Sequence, residues 1–199
     1  MIHSNFKRRV TSHTKPKEVY MHQATSAATT ADISKVSKQL AGKYLTFRMG
    51  NEEYGLQILK VQEIIQMQQI TRIPRTPDYI LGVINLRGKI IPVLDLRRKF
   101  GLEASQDTDK TCINVVQITD AKGLPITIGI RIDEVKEVLD IAASHIQETP
   151  SFGAAVDTDF ILGLGKIGDS VKILLDIDKA ISVSDTEALA TLAAGMKSE

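Results

Sequence analysis

The chain has 199 residues, 43% of them hydrophobic, with 5% aromatics, one cysteine and no tryptophan, and 25 Lys+Arg against 24 Asp+Glu leave a net charge of +1. That composition excludes disulfide scaffolds and collagen-like repeats, and no run approaches the roughly 20 apolar residues of a membrane helix. A reducing, cytoplasmic setting is the expectation, and the opening residues carry Lys7, Arg8 and Arg9 with no apolar stretch after them, unlike a secretory signal.

Residues 1–43 hold eight Lys/Arg and two acids, a net of +6, which leaves −5 for the remainder. This stretch is rich in Ser, Thr, Ala and Gln without apolar period, so it reads as a basic, disordered tail. From Tyr44 the texture becomes strand-like. Alternating residues 44–49, a turn at Gly50-Asn51 and residues 53–58 predict a first hairpin. Residues 83–86 and 89–94 flank Arg87-Gly88 as a second hairpin, and Pro92 predicts that its strand lies at an edge or carries a bulge. Residues 113–119, a turn near 121–123 and residues 126–132 form a third. Residues 161–167, a turn at Gly168-Asp169 and residues 171–175 form a fourth. Helical signals are short, the clearest being a C-terminal helix over 185–199, where Ser184 and Glu187 form a capping box.

The two halves repeat one another. Residues 54–65 align without gaps on 128–139, an offset of 74, with Gly55 on Gly129, Val61 on Val135 and Glu63 on Glu137. Residues 79–83 and 93–96 align on 160–164 and 174–177, an offset of 81. Two similar small β units follow, about 44–105 and 106–184, and short, numerous strands favour closed or nearly closed barrels that hide their edges.

Glu53-Tyr54-Gly55, Val61-Gln62-Glu63-Ile64, Gly82-Val83-Ile84-Asn85-Leu86-Arg87-Gly88, Ile91-Pro92-Val93 and Asp95-Leu96-Arg97 resemble the CheW family of chemotaxis coupling proteins, from about residue 44 to 181. The resemblance implies a mainly β fold of two intertwined SH3-like five-stranded β-barrels and no catalysis. It further implies a cytoplasmic adaptor that joins chemoreceptor helical tips to the regulatory domain of the histidine kinase CheA, with further copies of the adaptor in rings. Carried over residue by residue, it implies a partner-binding set of Val61, Glu63, Ile64, Gly82, Asn85, Arg87, Gly88, Cys112 and Val138.

Read on their own chemistry, these residues point the same way. Arg87, at a hairpin tip, has no core role, and its guanidinium fork can grip a carboxylate or a carbonyl; a solvated turn arginine is the alternative. Glu63 is its natural counter-charge. Val61, Ile64 and Ile65, with Val135, Val138 and Leu139 in the second copy, exceed what one small barrel buries, so some should line a common groove suited to an amphipathic helix. Core packing is the alternative for each, and Gly82 reads as a point of close backbone approach.

Other chemistries find little support. Gly163-Leu164-Gly165-Lys166-Ile167-Gly168 spells GxGxxG, but a strand rather than a helix follows it. Asp95 and Asp176 occupy equivalent places like the carboxylates of a duplicated aspartic hydrolase, yet each precedes a short helical stretch where Asp is a favoured N-cap. Neither His145 nor the tail histidines His3, His13 and His22 have zinc-ligand spacing, and Cys112 has no histidine near it in sequence. No cofactor is expected. A nucleic-acid- or nucleotide-binding small barrel is the alternative reading, and an acidic body with few aromatics opposes it.

Overall fold

The computed structural model describes residues 37–120, 122–149 and 158–181, together with Asp185 and Leu189. The expectations for residues 1–36 and for the capping box at Ser184 and Glu187 lie outside the described residues, as does most of the C-terminal helix. Eleven strands follow in order: β1 Gly42–Met49, β2 Glu52–Gln57, β3 Val61–Gln66, β4 Ile80–Leu86, β5 Lys89–Asp95, β6 Cys112–Thr119, β7 Pro125–Ile132, β8 Glu134–Ile141, β9 Ile146–Gln147, β10 Ile161–Ile167 and β11 Ser170–Leu175. Single helical turns at Leu96–Lys99 and Ile177–Ala180 follow β5 and β11. Upstream of β1, Leu40 packs against the first sheet's core and Ser37 Oγ donates to the Ile146 carbonyl.

The strands form two sheets, ordered β8-β1-β2-β11-β10-β9 and β3-β6-β7-β5-β4. Neither is built from one half of the sequence. The hairpin β1–β2 sits among strands of the second half, and the hairpin β6–β7 among strands of the first. This exchange follows the duplication residue by residue. Val93 pairs with Gly129 across the parallel β5–β7 contact, and Leu174 pairs with Gly55 across β11–β2, the same register after the 81- and 74-residue offsets. Bulges recur at matching places as well, between Val61 and Glu63 in β3 and between Ile80 and Gly82 in β4, with a counterpart between Ile161 and Gly163 in β10.

Burial explains why β5 and β7 read as continuous apolar runs. Ile91, Val93, Ile113 and Val115 fill the hollow of the second sheet, while Leu94, Val116, Ile128, Ile130 and Ile132 face a larger cluster shared with Phe47, Met49 and Leu56 of the first. Both faces of these strands are therefore covered, which removes the polar alternation of a half-exposed sheet. A third cluster, Tyr44, Ile141, Ile146 and Leu174, fills the hollow of the first sheet.

Two expectations change. The SH3-like barrels are curled sheets left open in their hydrogen bonding. The outer edge of β4 is met instead by the connecting segment, where Thr71 and Val83 exchange backbone hydrogen bonds of 2.9 Å, and β9 meets β10 at the equivalent place. Gly82 makes that approach possible, since a Cβ there would lie 2.1 Å from the Thr71 carbonyl oxygen. Pro92 lies on an interior strand, and the bulge of its hairpin is in β4; the ladder from β5 to β7 begins only at Val93, past the missing amide donor.

Candidate partner-binding surface

The β4–β5 hairpin closes at Leu86 and Lys89, and its two tip residues both have positive φ, +53° at Arg87 and +84° at Gly88. That pair of values belongs to the type I′ turn, which matches the twist of the flanking strands. Gly88 adopts it freely. Arg87 bears a steric cost of about 1–2 kcal/mol for holding a β-carbon in the left-handed region. Asn85 Oδ1 accepts a hydrogen bond from the Gly88 N–H at 2.8 Å and so fixes the turn. From this tip the Arg87 guanidinium reaches Glu63 Oε2 at 2.7 Å, while its side chain stays 77% exposed.

The position of that pair matters more than its strength. β3 and β4 are the two outermost strands of the second sheet and do not pair with each other, so Arg87–Glu63 spans the open seam of the curl. Exposed ion pairs contribute about 0–1 kcal/mol. What the geometry provides instead is a forked cation held in one place, with most of its N–H donors facing solvent.

The other face of β3 looks toward the first sheet. Its bulge lets Val61 pair with Val116 and Ile64 with Asn114, two residues apart on β6, so Val61 and Ile64 share one face despite their spacing. β8 behaves alike, with Val135 opposite Phe47 and Val138 opposite Leu45. Val61, Val135 and Cys112 are half-buried against the large inter-sheet cluster, whereas Ile64 and Val138 keep 43% and 50% of their surface exposed. Burial pushes the Cys112 thiol up from its ordinary pKa, a hydrogen bond with the Val135 backbone only partly opposes this, and the sulfur stays protonated. Gly82 is buried at the Thr71 contact. The nine candidate residues thus divide into a hairpin tip with its counter-charge (Glu63, Asn85, Arg87, Gly88), an inter-sheet apolar set (Val61, Ile64, Cys112, Val138) and one buried backbone contact (Gly82).

The two equivalent aspartates serve as helix caps. Asp95 accepts from the Arg97 N–H at 2.9 Å, and Asp176 from the N–H groups of Asp178 and Lys179, so each caps its own helical turn. The GxGxxG stretch lies in β10 and the turn into β11. Among the described residues no group of His, Cys, Asp and Glu could hold a metal ion, and no helix is long and apolar enough to cross a membrane.

Two residues that matter here escaped the sequence reading. Leu59, in the single turn Ile58–Lys60, is 94% exposed, and Asn114 is 1% exposed with neither side-chain nitrogen nor oxygen partnered among the described residues. Leu59 was hidden inside an apolar run. Asn114 carried a signal, a lone amide between Ile113 and Val115, but only its pairing shows which face it occupies.

Comparison with known proteins agrees with this geometry. Residues 43–185 match the model of the CheW-like domain. The chain is 41% identical over 153 residues to the chemotaxis protein CheW of Klebsiella aerogenes, covering 76% of this chain and 89% of that protein. It is 32% identical over 152 residues to the chemotaxis protein CheW of Treponema pallidum, covering 74% and 86%. The crystal structure of the scaffolding protein TtCheW from Thermoanaerobacter tengcongensis superposes with a TM-score of 0.63 at 36% identity, covering 73% of this chain and 90% of that one. Matching register, matching bulges and these relatives together place the chain in the CheW-like family of chemotaxis scaffold proteins.

Proposed function

We propose that the chain is a non-enzymatic adaptor that couples the cytoplasmic helical tips of chemoreceptors to the regulatory domain of the histidine kinase CheA, with further copies joining in rings within membrane-associated arrays. The coupling body is the stretch 44–184, flanked by the basic segment 1–43 and the C-terminal 185–199. The observation that carries the reading is Arg87, a non-glycine residue kept at a positive-φ hairpin tip with its cation exposed and aimed by Glu63. Strain retained at a surface position is explained by a partner that uses the side chain.

The exposed Ile64 and Val138, with half-buried Val61 and Cys112 beside them, suit an amphipathic receptor helix laid along the inter-sheet face. Leu59 offers the kinase domain an apolar contact at a sheet end, beside the 2.5 Å Lys60–Asp178 ion pair. Function in this reading is geometric, since holding receptor and kinase on one body raises their effective concentration. A pull-down with a receptor cytoplasmic fragment and with CheA tests it. Both should be retained, and Arg87→Ala should weaken kinase coupling while leaving the melting temperature unchanged. Retention of neither partner, together with no effect of Arg87→Ala on kinase coupling, overturns the adaptor reading; full coupling by Arg87→Ala with both partners retained removes only the arginine from it.

A further inference from the structure

We propose that Asn114 is a polar anchor beneath the receptor-facing surface, and that its side-chain amide pairs with a carboxamide side chain, Asn or Gln, on the docked receptor helix. This inference rests on the adaptor reading and adds the chemistry by which the inter-sheet face recognises its occupant. The first observation is that Asn114, 1% exposed, has neither Nδ2 nor Oδ1 hydrogen-bonded among the described residues. Buried amides are almost always paired, so a fully orphaned one calls for an explanation.

The second observation is the duplication. β1 and β6 are equivalent strands, because Leu45 pairs with Val138 as Asn114 pairs with Ile64. At that position the first sheet carries Leu45, 2% exposed. An apolar side chain therefore fits this place in the fold, and the amide is not required to build it.

The third is access. Asn114 shares its face of β6 with Cys112 and Val116, and the residue opposite it, Ile64, lies on an edge strand with 43% of its surface exposed. In this proposal the docked helix displaces the half-exposed Ile64 side chain to reach the amide beneath it. The Cys112 sulfur on the same face makes no hydrogen bond to the amide. A helix docked here has its own backbone hydrogen bonds closed, so only a side chain can reach down. The group that answers an unpaired donor and an unpaired acceptor together is another carboxamide.

The test uses the full chain and a receptor cytoplasmic fragment, comparing wild type with Asn114→Leu. Expected is a variant with an equal or higher melting temperature whose affinity for the fragment falls about tenfold, the loss of one buried hydrogen-bonded pair. In 15N-labelled wild type, the Asn114 side-chain NH2 signals should shift on saturation with the fragment; should the variant fail to fold, this measurement decides alone. Wild-type affinity in Asn114→Leu, or NH2 signals that stay in place at saturation, overturns the anchor and points to an internal water on the amide. In that case wild type still binds, and the adaptor reading stands. If wild type does not bind the fragment at all, the adaptor reading falls and the anchor with it.

Discussion

At the end of the parallel pair in the second sheet, Asp95, Arg97, Arg131 and Asp133 form a charged cluster, whereas the equivalent positions of the first sheet hold Asp176, Asp178, Gln57 and Leu59. Arg131, its side chain 4% exposed, lies 2.7 Å from Asp107, 3.4 Å from Asp133 and 3.7 Å from Asp95, and also donates to the Ser105 carbonyl. Arg97 adds Asp133 at 2.6 Å and the Glu103 carbonyl. The cluster thus pins residues 103–107 over one sheet end. At the other end, Lys60 and Asp178 make a single pair and Leu59 stands exposed. Backbone register was retained through duplication while the side chains diverged, one end sealed by its own loop and the other left bare. The hairpin tips differ in the same way, with strained Arg87 and Gly88 in one copy and Gly168 and Asp169 in the other.

Replacing Arg131 by Met should break this contrast most severely. Asp95 would keep Arg98 at 3.6 Å and the Arg97 N–H, but it, Asp107 and Asp133 would all lose the buried cation between them, and removing one member of a buried pair costs about 3–5 kcal/mol. The counterpart Gln57→Met, half-buried with its side chain hydrogen-bonded to the Tyr44 hydroxyl, should cost only about 1 kcal/mol, the worth of one neutral hydrogen bond. Denaturant unfolding of both variants checks this, and equal losses would show that the two ends are not built differently. Acid should find the same weak point. Burial pushes the Asp133 carboxyl up, but hydrogen bonds from the Gly50 N–H and Arg97 outweigh it and leave the pKa below its ordinary 3.8. A lowered folded-state pKa contributes stability that is present above the unfolded value and lost as pH falls through the folded one. Stability should therefore drop below about pH 4, and less so in Arg97→Met, where the carboxylate has already lost one of its supports.

The four hairpins and the duplication were legible in the sequence, because turn glycines and apolar runs are local signals, whereas β3, β8 and β9 were not legible as strands, since none of them belongs to one of those hairpins. The reciprocal exchange of strands was expected only through the family resemblance, which implies intertwined barrels, since nothing local distinguishes β5 pairing with β7 from β5 pairing with β2. Pro92 misled for the same reason: a missing donor marks an edge only if both neighbours are known. At the site, Arg87 and Glu63 were legible by charge and turn position, and the structure adds that they meet across an open seam. Ile64 was legible as surplus apolar surface. The β3 bulge that turns it onto the same face as Val61 was not, because Gln62 looks like any alternating polar residue.

A second contrast concerns equivalent residues Tyr79 and Phe160. Phe160 stacks on Phe100 with ring centroids 4.7 Å apart, whereas the Tyr79 hydroxyl donates to Asp185, which Lys99 also meets at 2.6 Å. Burial first, and then the Asp185 carboxylate, push the Tyr79 phenol up to about 12. Because this folded-state value is raised, its contribution is fully present below the ordinary 10 and is lost as pH rises through about 12. Tyr79→Phe, which copies the other repeat, should cost about 1.5 kcal/mol near neutral pH. The gap between variant and wild type should close between pH 10 and 12, as read by thermal melts across that range. A gap that persists above pH 12 would place the difference in packing rather than in the Asp185 hydrogen bond.

The smallest expected change in stability is the one that best separates stability from function. Asn tolerates the left-handed region that Arg87 occupies at φ +53°, so Arg87→Asn relieves strain while giving up an exposed ion pair. These terms nearly cancel, and the net change should lie within about 0.5 kcal/mol, on the stabilising side if the strain is the larger. Receptor–kinase coupling should nevertheless fall as far as in Arg87→Ala, because the forked cation is gone in both. If Arg87→Asn melts with wild type and still couples fully, the tip is only a turn. If it melts with wild type and fails to couple, the strain at Arg87 is explained by the cation it presents, and the Gly168-Asp169 tip shows the turn that results when no such demand exists.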